Sequence, residues 1–229
     1  MKILALGAHP DDLEIYMFGL LSCFAKNKED LVIVVATDGA AGTIKENRNL
    51  ADIRKKEAVR GLANLANPVF LNMPDGQLSF NTSYFQKVKK FVDKVDPDLV
   101  VTHSPEDYHP DHRALSNYVV ESVGFKAPII FADTLMGVNF IPEIYIDITE
   151  HFENKKRAIM CHKSQNPEKF RDAVTLLNRF RSAQCNKIEN NFAECYRPFK
   201  SFPYSDVSYL LPNRIKISPY YEMNKNSFL

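Results

Sequence analysis

Short apolar runs alternate with amphipathic stripes over the first 131 residues, and no other feature constrains the fold as strongly. Residues 3–6, 31–36, 68–71, 99–102 and 128–131 read as five strands. The second run is continuous and rich in β-branched residues, as expected of a strand covered on both faces. Between the strands lie helical stripes. Leu13, Tyr16, Met17, Leu20, Leu21 and Phe24 recur at three- and four-residue spacing, as do Phe85, Val88, Phe91, Val92 and Val95. Further helices are expected over 52–66 and 112–123. Such β-α alternation predicts an α/β fold of the Rossmann-like type: an open, mostly parallel sheet with helices on both faces and right-handed crossovers. A sixth strand over 144–148 and helices over 149–161 and 168–185 complete a single expected domain, 1–211. Residues 212–229 lack periodicity and read as a packed arm or a tail.

Composition removes several classes of function. The chain has 229 residues, 45% of them hydrophobic, and 29 basic residues offset 28 acidic ones. The basic runs are interrupted at helical spacing, so no stripe for nucleic acid or an anionic membrane is expected. The longest apolar stretch, 16–25, falls well short of the roughly 20 residues that span a bilayer. Four cysteines at 23, 161, 185 and 195 contain no C-x-x-C pair, which suits free thiols in a reducing, cytoplasmic setting. The loop from Thr37 to Gly42 lacks G-x-G-x-x-G, so dinucleotide binding is not expected. Nothing fixes the oligomeric state, and a homo-oligomer is compatible with the sequence.

Two segments concentrate metal-competent side chains: Ala8-His9-Pro10-Asp11-Asp12-Leu13-Glu14 after the first strand, and the stretch from His103 to His112 after the fourth. In a sheet ordered 3-2-1-4-5 these strands are neighbours at the topological switch point, where open α/β sheets bind ligands. Each segment alone is also a reasonable helix start, with Pro near the first turn and acids favoured by the dipole. Converging on one crevice, His9, Asp12, His109 and His112 form a mixed nitrogen and oxygen donor set. Three such ligands plus water is the catalytic zinc arrangement, and it acidifies the water. Asp11 and Asp111 beside them suit a general base and an orienting partner.

Ala8-His9-Pro10-Asp11-Asp12-Leu13-Glu14 with His109-Pro110-Asp111-His112 resembles the two signatures of the PIG-L/LmbE family of metal-dependent N-acetylglucosamine deacetylases. Arg54-Lys55-Lys56-Glu57-Ala58, Leu71-Asn72-Met73-Pro74-Asp75-Gly76, Ile146-Asp147-Ile148-Thr149, His162-Lys163-Ser164-Gln165 and Phe192-Ala193-Glu194 resemble further landmarks, so the likeness runs over roughly residues 1–200. The resemblance implies His9, Asp12 and His112 as ligands of a metal, usually zinc, with iron(II) or another divalent ion tolerated by the same set. It implies Asp11 as the general base acting on water, His109 as stabiliser of the oxyanion and acid for the leaving amine, and Asp111 as the carboxylate orienting His109. Arg54 and Asp75 match positions that hold substrate. The implied reaction is removal of acetyl from an N-acetylated sugar conjugate. Hydrolysis of a different amide, a mononuclear iron oxygenase and a non-catalytic sugar-binding relative remain as alternatives. Tyr16 and Phe18 stand where members often carry glycines, which would repack the first helix or narrow the pocket. His103, His162 and Glu194 are each open to a site role or a structural one, and His151 is expected to be exposed.

Overall fold

The computed structural model describes residues 1–42, 49–187 and 189–219. Its strands are β1 (Lys2–Gly7), β2 (Asp30–Thr37), β3 (Val69–Met73), β4 (Leu99–Thr102), β5 (Ile129–Ala132), β6 (Ile144–Asp147) and β7 (Ala193–Pro198). They form one sheet in the order β3-β2-β1-β4-β5-β7-β6. The first five strands are parallel, as the alternation predicts. Ile3 of β1 lies opposite Leu31 of β2 and Leu99 of β4, which makes β1 the centre of the switch.

Both faces of the sheet are apolar because both are covered. Ile3, Ala5, Ile33, Val35 and Val101 point to one side, against α1 (Asp12–Tyr16), α2 (Phe18–Lys26), α6 (Phe152–Ile159) and α7 (Pro167–Ala183). Leu4, Leu6, Val34 and Val100 point to the other, where Val88 and Val92 of α4 (Ser83–Val95) and Leu115 and Val119 of α5 (Pro110–Val123) meet them. The helix α3 (Leu50–Gly61) ends five residues earlier than the sequence pattern suggests.

Two features depart from the sequence reading. Strand β7 was not expected: Glu194, Arg197 and Pro198 break the apolar run that would have marked it. It enters antiparallel between β5 and β6, so β6 pairs with β7 instead of extending the parallel series. The single stripe over 13–24 also breaks, because Met17 leaves helical geometry at φ −131° and ψ −7°.

The same buried carboxylate accounts for both. Glu194 accepts bonds from the backbone N–H groups of Gly19 and Leu20 at 2.8 Å each, satisfying the free donors at the start of α2. It also accepts from Lys155 Nζ and Tyr196 Oη at 2.7 Å. A Cβ on Gly19 would run into Ile148 and Glu194, so this close approach needs glycine. Glu194 therefore lies neither in a pocket nor on the surface. Its replacement by Ala strands a buried ammonium at Lys155 and is expected to destabilise the fold by about 3–5 kcal/mol in denaturant titration.

Beyond β7 the chain lays 213–215 along the outer edge of β6, with Asp147 donating to the Asn213 carbonyl and Ile215 to that of Tyr145. The arm-or-tail expectation for 220–229 falls outside the described residues. Among those described, no helix is long and apolar enough to cross a membrane.

Candidate metal centre and active site

The sheet brings the two acid- and histidine-rich segments together. Ala5 of β1 and Val101 of β4 are paired, so the turns leaving these strands share one mouth. There His9, Asp11, Asp12, Arg54, Asp75, His109 and His112 line a cleft of about 260 Å³. A larger groove of about 670 Å³, along Asp147, Glu150, Lys187 and Arg214, contains none of these residues. Size alone does not choose the site.

Three donor atoms face one another at nearly equal separation. His9 Nδ1 lies 3.2 Å from His112 Nε2 and 3.3 Å from Asp12 Oδ2, and His112 Nε2 lies 3.3 Å from the same oxygen. Metal–ligand bonds of about 2.0–2.1 Å in a tetrahedron put ligands about 3.3–3.4 Å apart, so the triangle fits one divalent cation. The remaining ring nitrogens support this reading. His9 Nε2 lies 3.1 Å from Asp75 Oδ1 and 3.4 Å from Asp111 Oδ2, so with a cation in place of the second ring proton its N–H would lie on that side and Nδ1 would face the triangle. His112 Nδ1 lies 3.1 Å from Asp107 Oδ1, though off the line of a straight hydrogen bond. Carboxylates behind ligating imidazoles fix the tautomer in this way.

Further support surrounds Asp12. His103, buried and stacked on His112 at 3.8 Å, places Nε2 3.0 Å from Asp12 Oδ2, and the His9 backbone N–H donates to that oxygen at 2.7 Å. Around it, among the described residues, His9/His109/His112, Asp12/His103/His112 and His9/Asp75/Asp111 each bring three donor atoms within 4.8 Å of one another. The cluster demands positive charge. Burial lowers the affinity of His9 for a proton, yet Asp12, Asp111 and Asp75 outweigh it and hold its pKa well above the imidazole range. Burial likewise opposes protonation of His112, but Asp12 and Asp107 carry it up to about 9.

Asp11 occupies a strained position, φ 138° and ψ −22°, at the start of α1. Such a backbone costs on the order of 1–3 kcal/mol and persists only where the surroundings enforce it. Arg54 from α3 does so. Its Nη2 donates to the Pro10 carbonyl at 3.0 Å and to Asp11 Oδ1 at 3.1 Å, while Nη1 donates to the Gly39 carbonyl at 2.9 Å. Gly39, at φ +68°, leaves room for the guanidinium, and a Cβ there would crowd Pro10 and Arg54. Burial raises the Asp11 pKa, Arg54 opposes it and Asp12 adds to it, for a net value of about 6. Arg54, expected to grip substrate, is 3% exposed and committed to the loop and to Asp11.

The expected Asp111–His109 contact runs through the backbone. Asp111 N–H donates to His109 Nδ1 at 3.2 Å, while the Asp111 carboxylate accepts from the N–H groups of Gly76 and Leu78 at 2.7 and 3.1 Å. The reason is local: His109 caps α5, and in the first turn the N–H of Asp111 is the free donor within reach. With Nδ1 accepting, His109 carries its proton on Nε2. Burial, then His9 and His112, lower its pKa and favour this neutral form. Asp75 touches His9 and accepts from Ala41 N–H at 3.0 Å, at the cleft wall.

Other residues resolve into structural roles. His162 Nε2 pairs with Glu14 Oε1 at 2.7 Å, both buried, and Glu57 accepts from Ser164, which together fix the turn that carries Gln165 to the cleft. His151 is buried, against expectation, in the turn before α6. Sequence reasoning gave no site role to Asp107, Gln165 or Ile15, though the first two lie inside segments it singled out. Asp107 sat inside the quoted segment, but its five-residue offset from His112 spans the start of α5 and matches no helical or strand spacing.

A family model described as GlcNAc-PI de-N-acetylase, PIG-L, matches residues 4–123. The diacetylchitobiose deacetylase of Thermococcus kodakarensis is 26% identical over 192 residues, 73% of this chain and 71% of that one. A probable N-acetyl-alpha-D-glucosaminyl L-malate deacetylase of Bacillus cereus is 27% identical over 192 residues, 74% and 86% of the two chains. Among solved structures, the N,N'-diacetylchitobiose deacetylase of Pyrococcus horikoshii superposes with a TM-score of 0.75 at 26% identity, covering 90% of this chain and 88% of that one. The 4-carboxy-2-hydroxymuconate hydratase GalB of Pseudomonas putida reaches 0.76 at 18% identity, over 90% and 99%, a likeness of fold alone.

Proposed function

The chain belongs to the PIG-L family, and from that premise we propose that it hydrolyses the acetamide of an N-acetylated sugar conjugate, using a zinc ion held by His9, Asp12 and His112. The observation that carries this reading is the 3.2–3.3 Å triangle of donor atoms beside a strained, clamped carboxylate. The named deacetylase relatives support the substrate class. When bound, the cation would supply Lewis acidity at the carbonyl oxygen and acidify a water.

The chain's own groups account for the proton movements. Asp11, as a carboxylate, takes a proton from water as the water oxygen bonds to the acetyl carbon. His109 donates from Nε2 to the oxygen on which charge develops. When the carbon–nitrogen bond breaks, the nitrogen gains a proton, and acetate and the free amine leave. His109 or protonated Asp11 stands in reach as the donor. Arg54 sets Asp11, and Asp75, besides orienting His9, faces the cleft as the acceptor for a sugar hydroxyl.

The test is release of acetate and amine in equal amounts from a panel of N-acetylglucosamine conjugates and unrelated acetamides. Turnover confined to glycosylated amides supports the reading. Turnover confined to other amides transfers the chemistry to a different substrate, and no turnover from a metal-loaded protein contradicts it.

Two further results are expected. Asp11 must be ionised to act, so kcat/KM should fall as pH drops, with an acidic midpoint no higher than about 6. A midpoint near 7 or above would assign that limb to another group. Arg54→Lys keeps the charge but not the fork that reaches three acceptors at once. It should lower kcat about 10- to 100-fold with metal content unchanged, in line with the sensitivity of catalysis to small displacements.

A further inference from the structure

We infer that Tyr16 is the residue that limits the acyl group this site accepts, closing the apolar side of the cleft beside His112 so that acetyl fits and longer chains do not. The inference rests on the deacetylase reading and deepens it.

Tyr16 is the last residue of α1, placed where the chain breaks at Met17, so its side chain leaves the helix into the cleft. It is 7% exposed. Its ring stands edge-on to His112 at 5.8 Å and to His103 at 5.5 Å, directly against the imidazole that completes the donor triangle. Its hydroxyl lies toward that of Tyr108, a residue at the rim that is more than half exposed. The two rings both stand beside His112 and line the cleft, Tyr16 from the end of α1 and Tyr108 from the loop after β4. Ile15 of the same helix also lines the cleft.

The polar lining comes from other elements, with Phe170 the one further carbocyclic aromatic ring among the described residues lining the cleft. Arg54 and Asp75 belong to that lining, and Gln165 comes up against Gly42 next to the guanidinium. A sugar needs donors and acceptors for its hydroxyls, and these stand on the Arg54 side. An acyl substituent needs none, and burying it against phenol rings and an aliphatic chain is favourable. With the amide carbonyl at the triangle, the sugar is directed to the polar wall and the acyl carbons to Tyr16. The size of that wall then sets acyl length.

The experiment compares N-acetyl, N-propionyl and N-butyryl glucosamine as substrates of the zinc-loaded protein. In parallel, calorimetry measures binding of acetohydroxamate and butyrohydroxamate, which reports the same space without turnover. One methylene in a shaped pocket is worth roughly 10- to 200-fold. Tyr16→Ala, or Tyr16→Leu if the alanine protein does not fold, should raise the butyryl-to-acetyl ratio at least about tenfold in both measurements, with zinc content unchanged. Tyr16→Phe keeps the ring and should leave both ratios as in the wild type. Unchanged ratios in Tyr16→Ala and Tyr16→Leu overturn the inference and leave the deacetylase reading standing. The same holds if Tyr16→Phe relaxes them equally, since the Tyr16 hydroxyl and not the ring would then be the determinant. Hydroxamate selectivity that relaxes in a protein without turnover removes the deacetylase reading and overturns the inference that rests on it, leaving Tyr16 as the wall of a binding cleft only. Absence of both turnover and hydroxamate binding in every protein overturns the two together.

Discussion

Asp11→Asn is expected to lower kcat by about 10²- to 10⁴-fold while the protein binds zinc as the wild type does. The amide is nearly the same shape as the carboxylate, and its oxygen can still accept from Arg54 Nη2, which lies 3.1 Å from Asp11 Oδ1 in the wild type. The backbone at φ 138° is also kept, because asparagine tolerates unusual backbone about as well as aspartate. What is lost is the ability to take a proton. Loss of turnover with metal retained therefore separates the base from the ligands, and calorimetric zinc titration beside steady-state kinetics makes the distinction. Loss of zinc in step with activity would place Asp11 among the ligands. Unchanged turnover would remove it from the mechanism.

Asp12→Ala should do the reverse and abolish zinc binding along with activity. Its Oδ2 is the common neighbour of His9 Nδ1, His112 Nε2, His103 Nε2 and the His9 backbone N–H. The carboxylate stays ionised: burial opposes this, but His112, His103 and His9 hold its pKa well below the usual range. Removing it leaves the imidazoles without the negative charge that balances a cation between them. The loss should exceed that for Asp107→Asn, which touches His112 from behind and should weaken zinc about 10- to 100-fold. Competition titrations with a chromophoric chelator would rank the two. Equal, small losses would contradict the assignment of the triangle.

The parallel half of the fold was legible because each buried strand is apolar on both faces, so 31–36 and 99–102 announce themselves without a partner. Strand β7 was not, because its stability comes from a buried Glu194 that serves Gly19, Leu20, Lys155 and Tyr196 at once. A carboxylate in that setting has no local signature. That His9, Asp12 and His112 would come together was legible from two short segments, because the side-chain types able to ligate a metal are few. The groups behind them were less so. Asp107 and His103 reach His112 and Asp12 only through geometry created where β4 meets α5, and Arg54 lies against Asp11 because Gly39 and Pro10 offer it carbonyls. The break at Met17 hid in an otherwise regular stripe, since Phe18 and Leu20 keep the apolar face continuous while Glu194 supplies the new helix start.

The most direct measurement is acetate release from an N-acetylglucosamine conjugate by protein stripped of metal with a chelator, before and after zinc is returned. The account predicts no release from the stripped protein, recovery on addition of about one equivalent of zinc, and no recovery in Asp12→Ala. Release that persists without metal, or zinc bound by the wild type with no hydrolysis of any acetamide, would contradict it.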